Sequence, residues 1–171
     1  VSRLIILIAQ GLGTGRSPLM PGTVGSLLGL PVFILLLMPG SFQFFVGSLL
    51  VLGITSVWLC GRAETLLGQR DPGSVVFDEI IALPLCFAGW VSSLYFDNGS
   101  MPEWVYFFKG TNWFLSVVVF LLFRFFDIVK PWPIGSSQSL PGGWGVTIDD
   151  LLAALYVNLF SVIFIKMTLL T

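Results

Sequence analysis

The sequence predicts an all-helical, polytopic bundle of about five spans, with four as the alternative, embedded in a membrane, and three observations lead there. Of 171 residues, 56% are hydrophobic and only 10% charged, against roughly 25% charged in soluble domains. Mean hydropathy is +0.95. A soluble chain this small could not hide so much apolar surface, because small domains leave much of their chain in water. Finally, apolar runs recur at about the length of a bilayer crossing, and no residue from Ser17 to Gly61 is charged.

Each element follows from local signals. Leu4 to Leu12 is too short to cross and reads as an interfacial or re-entrant piece. Pro39-Gly40 divides the uncharged run into two spans, about 23–38 and 43–61, joined by a tight hairpin. The first is short, and Pro31 should kink it. A third span covers about 75–96, with Pro84 as a second kink. A fourth covers about 104–126 and a fifth about 147–168. The chain reads as a single membrane-embedded domain over 1–171, without an internal repeat or a cleavable leader.

Charge and composition exclude several classes. The net charge of −1 provides no field for a nucleic-acid partner. Cys60 and Cys86 lie in apolar runs and read as small core hydrophobes, not a disulfide framework. No histidine is present. With the N-terminus inside, Arg3, Arg16, Arg62, Arg70, Arg124 and Lys130 fall on the cytoplasmic side, against Lys109 and Lys166 outside. That asymmetry sets the expected orientation. Nothing in the sequence fixes an oligomeric state.

The acids are gathered. Asp78 and Glu79 fall at the start of the third span, Asp127 at the end of the fourth, and Asp149 and Asp150 in the first turn of the fifth. In the expected topology all five share one depth, at the cytoplasmic mouth. Acids do stabilise helix N-termini, but capping does not explain adjacent pairs, and it leaves Asp127 at the wrong end of its helix dipole. Ionisable groups at membrane depth are functional candidates. Carboxylates crowded together without histidine or thiolate suit a hard divalent cation, Mg²⁺ first. Arg124, Lys130 and Arg16 stand at the same mouth, and carboxylates holding a metal beside cations suit phosphate chemistry.

Two glycine-rich segments, from Gly11 to Ser26 and from Leu140 to Gly145, enter this face and could bring backbone N–H groups to an anion. Several phosphatase chemistries are absent. There is no Cys-x₅-Arg, no histidine for a phosphohistidine, no Asp-x-Asp pair, and no Asp-Gly-x-x-Ala-Arg run of the CDP-alcohol phosphotransferase kind. Metal-activated water remains.

Four blocks in this order resemble the phosphatidylglycerophosphatase A family. They are Gly13-Thr14-Gly15 through Pro21-Gly22-Thr23-Val24-Gly25-Ser26, then Val76-Phe77-Asp78-Glu79, then Arg124-Phe125-Phe126-Asp127-Ile128-Val129-Lys130-Pro131-Trp132-Pro133-Ile134, and lastly Gly142-Gly143-Trp144-Gly145 with Asp149-Asp150. Ala82 stands where the family usually has glycine soon after Asp-Glu, a change that removes no functional group. The resemblance implies a Mg²⁺-dependent hydrolase that removes the terminal phosphate of phosphatidylglycerophosphate, a membrane phospholipid. It also implies a bacterial-type plasma membrane and a place in phospholipid synthesis.

The expected division of labour gives metal binding to Asp78, Glu79 and Asp150. Asp127 and Asp149 would be further ligands or orient water. Arg124, Lys130 and Arg16 would grip phosphate, helped by Thr23 and Ser26. Neighbours on a helix point about 100° apart, so both members of a pair rarely face one ion squarely, and the sequence leaves open which of each pair could stand behind the other. The competing class is a small transporter or channel using the acids for ions or protons. Against it, the first two spans carry no acid, so no charged path crosses the bilayer.

Overall fold

The computed structural model describes residues 1–169, with side chains through Ile163. Lys166, expected on the outer side, lies outside the described side chains. Among the described residues all regular structure is helical, with no strand.

Helix α1 (Ser2–Ala9) leads into a 3₁₀ turn, Gly11–Arg16, in which Leu12 and Gly13 take positive φ and reverse the chain. Helix α2 (Pro21–Leu37) starts with Pro21 in its first turn, and Pro31 lies inside it. Its 17 residues span about 25 Å, short of a ~30 Å hydrocarbon core. Gly40, at φ +65°, closes the expected hairpin. Ser41 then caps α3 (Phe42–Leu67), its Oγ accepting the Phe44 N–H at 3.3 Å. Helix α3 thus runs past its expected end and carries Arg62 and Glu64 on its last turns.

The third span is a broken one. Helix α4 (Phe77–Cys86) stops at Phe87, and α5 (Ala88–Asn98) continues. Pro84 lies one turn before the break, where its ring and missing N–H weaken the helix. Asn158 fills the gap: its Oδ1 accepts from the Gly89 N–H at 2.5 Å and its Nδ2 donates to the Leu85 carbonyl at 2.6 Å. One side-chain amide therefore replaces the rung that Gly89 and Leu85 would share in an unbroken helix.

The fourth span starts later than expected, because a 3₁₀ turn, Trp104–Phe108, and Gly110 at φ +54° precede it. Helix α6 (Asn112–Val129) ends at Lys130, and a short α7 (Ile134–Ser137) follows. Helix α8 (Gly143–Leu169) begins before the expected position, so Asp149 and Asp150 lie in its second turn rather than its first. Their placement is therefore not helix capping.

Four helical stretches are long and apolar enough to cross a membrane: α3, α4 with α5, α6 and α8. The shorter α2 runs beside α4 from Gly25 against Val76 to Phe33 stacked on Phe87 at 4.4 Å. These four stretches, with the shorter α2 alongside, connect one end, where the acids lie, with the other, where Phe42 stacks on Tyr95 at 4.4 Å. Helices in lipid associate by close packing more than by the hydrophobic effect. Here Gly143 lies against the Val57 carbonyl and Gly61 N, so α8 and α3 touch backbone to backbone. Between the two ends, buried Phe33, Phe45, Phe87, Trp90, Phe107 and Phe123 form an aromatic core, with Trp90 and Phe107 edge-to-face at 5.0 Å. Ala82 is fully buried within it.

Candidate active site

Four helix ends meet at the acid end of the bundle. Asp78 and Glu79 occupy the first turn of α4, and Asp150 faces them from α8. One carboxylate oxygen from each of these three lies within 4.8 Å of the other two. Asp78 and Asp150 are buried, and Glu79 is nearly so. Asp78 Oδ1 and Glu79 Oε2 are enclosed without a hydrogen-bond partner. Buried polar atoms are normally satisfied, and crowded carboxylates are stable as anions only with a cation among them. An all-oxygen set with two orphaned oxygens fits a hard divalent ion such as Mg²⁺. Asp78, Glu79 and Asp150 could hold it.

A line of alternating charges borders this triad. Arg124 Nη1 lies 2.8 Å from Asp127 Oδ2 and 3.9 Å from Glu79 Oε1. The same nitrogen donates to Ser26 Oγ at 3.2 Å, and Ser26 Oγ donates to the Gly22 carbonyl at 2.7 Å. Asp127, at the unfavourable end of its helix dipole, is thus compensated by Arg124 on one side and Lys130 on the other, at 3.2 Å. Lys130 also donates to Asp149 Oδ2 at 2.5 Å. Burial pulls the Lys130 ammonium toward neutrality, but the hydrogen bond to Asp149 and the surrounding acids outweigh it and hold its pKa above the ordinary lysine range. Lys130 sits in the left-handed region, at φ +46°, a strained conformation for a side-chain-bearing residue. The left-handed turn closes α6 as the lysine bridges two acids.

Helix α2 brings its N-terminus to the same place. A side chain at Gly22 would displace the ends of Glu79 and Arg124, so glycine lets α2 approach without moving them. Thr23 Oγ1, next in the chain, is buried without a partner, as is Arg124 Nε. Unused donors beside a helix N-terminus suit an anion.

The expected residues divide into three groups. Asp78, Glu79 and Asp150 converge. Arg124, Asp127, Lys130 and Asp149 form the charge line, with Ser26 and Thr23 beside it. Arg16 stands apart: it is exposed, and its Nε donates to Gln10 Oε1 at 2.8 Å. Two glutamines were missed by sequence reasoning. Gln138 Nε2 donates to Asp149 Oδ2 at 3.1 Å, and the Gln138 carbonyl accepts from Arg70 at 2.9 Å. Gln10 is buried and donates to Ser74 Oγ at 3.0 Å. An amide next to glycines or serines carries no periodic signal, so neither stood out.

Carboxylates and cations gathered where helix ends meet in a helical membrane protein suit a site for a divalent cation beside an anion such as phosphate. The sequence profile of phosphatidylglycerophosphatase A matches residues 7–165. The chain belongs to this family, and with it to the phosphoric monoester hydrolases. It is 33% identical over 150 residues to phosphatidylglycerophosphatase A of Escherichia coli, covering 86% of this chain and 75% of that one. It is 33% identical over 153 residues to the Haemophilus influenzae protein of the same name, covering 89% and 83%. A Bacteroides thetaiotaomicron protein provisionally named phosphatidylinositol-3-phosphatase is 34% identical over 160 residues, covering 91% and 89%. No solved structure matches the chain.

Proposed function

We propose that this chain is a Mg²⁺-dependent lipid phosphatase of a bacterial inner membrane, hydrolysing phosphatidylglycerophosphate to phosphatidylglycerol and inorganic phosphate in phospholipid synthesis. The observation that carries the reading is the Asp78, Glu79 and Asp150 triad, with its orphaned oxygens, one side chain away from Arg124. The family and the names of its Escherichia coli and Haemophilus influenzae relatives support the substrate. The Lys and Arg asymmetry supports a site facing the cytoplasm.

When bound, the divalent ion supplies charge neutralisation for the phosphoryl oxygens and lowers the pKa of water. The chain's own residues do the rest. Arg124, held by Asp127 and Ser26, binds a phosphoryl oxygen through its unused donors, with Thr23 and the N-terminal amides of α2 beside it. Lys130 supplies a second positive charge. Asp149 Oδ2 is taken by Lys130 and Gln138, which leaves the buried Oδ1 to orient the attacking water. The water oxygen bonds to phosphorus in line as the P–O ester bond breaks, and a water proton ends on the leaving headgroup oxygen. The acyl chains stay in the bilayer.

The Bacteroides name favours a second headgroup, phosphatidylinositol 3-phosphate. Both lipids carry a phosphate monoester on a polyol that is joined to diacylglycerol through a phosphodiester. Phosphate release from the purified protein in neutral detergent, with each lipid in turn and with chelator or Mg²⁺, tests both readings. Release from phosphatidylglycerophosphate that stops in chelator and returns with Mg²⁺ is expected, with Ca²⁺ a poor substitute because it favours looser coordination. Release that persists in excess chelator defeats the metal assignment, and none from this lipid defeats the substrate.

A further inference from the structure

Arg16 is held in a way that its expected role does not explain. It ends the turn after α1, and Gly15 packs against the Ser74 carbonyl, just ahead of Asp78 in the chain. Its neighbour in space, Gln10, is only 5% exposed, and both ends of that buried amide are used. Gln10 Oε1 accepts from Arg16 Nε at 2.8 Å, and Gln10 Nε2 donates to Ser74 Oγ at 3.0 Å. The segment is pinned a second time where the Val76 N–H donates to the Ala9 carbonyl at 2.9 Å. One edge of the guanidinium is thus tied down. Its two terminal nitrogens have no hydrogen-bond or carboxylate partner among the described residues, and the side chain is exposed. A surface arginine that served only as a membrane anchor would need no buried tether.

The charge line leaves Arg16 out. Arg124 and Lys130 are committed to Asp127, Asp149 and the triad, whereas Arg16 has no ion pair among the described residues and lies in the segment that leads into α2 and Thr23. The geometry points to Arg16 as the site for the substrate's second phosphate, the diester that joins headgroup to diacylglycerol, as the inner cations take the monoester. This rests on the function proposed above. The planar fork with two free nitrogens matches the two unesterified oxygens of a phosphodiester. Such a contact is also made in the ground state, so it should act mainly through KM. It would separate lipids with a monoester and a diester from phosphatidic acid, which has only the monoester.

The test compares kcat/KM for phosphatidylglycerophosphate and for phosphatidic acid in neutral detergent micelles, where no bystander anionic lipid is present. Arg16→Gln should lower the ratio of the two by at least about tenfold, the scale of one charge-assisted hydrogen bond. Arg16→Lys, which keeps charge but loses the fork and the tether, should fall between. Hydrolysis of phosphatidic acid in the same sample reports that the variant is folded. Short-chain phosphatidylglycerol, which has the diester alone, should inhibit the wild type competitively and Arg16→Gln at least about tenfold more weakly. An equal fall on both substrates, no fall, or equal inhibition of both proteins overturns the assignment. A fall that appears only in anionic vesicles would make Arg16 a surface anchor and overturn it too. If the wild type releases no phosphate from phosphatidylglycerophosphate, the failure belongs to the substrate reading, while the inhibition comparison, run on whichever lipid is hydrolysed, still decides the role of Arg16.

Discussion

Lys130 Nζ lies 2.5 Å from Asp149 Oδ2 and 3.2 Å from Asp127 Oδ1, and so ties the last turn of α6 to the second turn of α8. Two acids that would otherwise repel each other across the mouth share one ammonium. Lys130→Met should therefore destabilise the protein by about 1–3 kcal/mol, less than a fully buried pair would show because a quarter of the lysine is exposed. Adding Asp149→Asn to that variant should recover part of the loss, which thermal unfolding in detergent measures. A purely additive double variant would mean that the two side chains do not depend on each other. In kinetics, Lys130→Ala should raise KM more than it lowers kcat, because the charge also holds phosphate in the ground state.

Removing one oxygen ligand from the triad should cost far more. Asp78→Asn and Asp150→Asn should each lower turnover by at least ~10²-fold, the scale of one lost electrostatic contribution. Glu103, exposed beside the Trp104–Phe108 turn at the opposite end, is the control. Glu103→Gln should stay within about twofold of wild type in a phosphate-release assay, since surface substitutions away from a site have small effects. Comparable damage from Glu103→Gln would contradict a single site at the acid end.

Asn158 should matter for structure more than for chemistry. Asn158→Leu keeps the size but leaves the Leu85 carbonyl and the Gly89 N–H unpaired at the α4–α5 break. A loss of about 1–2 kcal/mol is expected, together with faster hydrogen exchange at the Gly89 amide. Unaltered protection at Gly89 would show that the break is held by other contacts.

The orientation can be read by labelling. Ser139 is exposed at the acid end and Ser100 at the other. Cys60 and Cys86 are buried and should stay silent. Single cysteines at Ser139 and Ser100 should react with an impermeant maleimide from opposite faces, Ser139 from the cytoplasmic one. Reaction of both from one face would refute a crossing by α6 between them.

Composition alone determined the class of this protein, because hydropathy is a sum over neighbours in the chain and a bilayer crossing is a local event. The family blocks and the five acids at one end were legible for the same reason: their positions relative to the apolar runs set their depth. Helix phase and contact were not legible. The chain places Asp149 and Asp150 side by side, but only packing turns Asp150 to Asp78 and Glu79 and Asp149 to Lys130. Asp78 and Glu79, adjacent on one helix, both reach the triad with Asp150, the three acids to which the expected division of labour gave the metal. The meeting of Arg124 with Ser26, the tether of Arg16 to Gln10 and the rung supplied by Asn158 join residues from 6 to 98 positions apart. Such contacts depend on how helices cross, and no pattern along one helix encodes where its neighbour will lie.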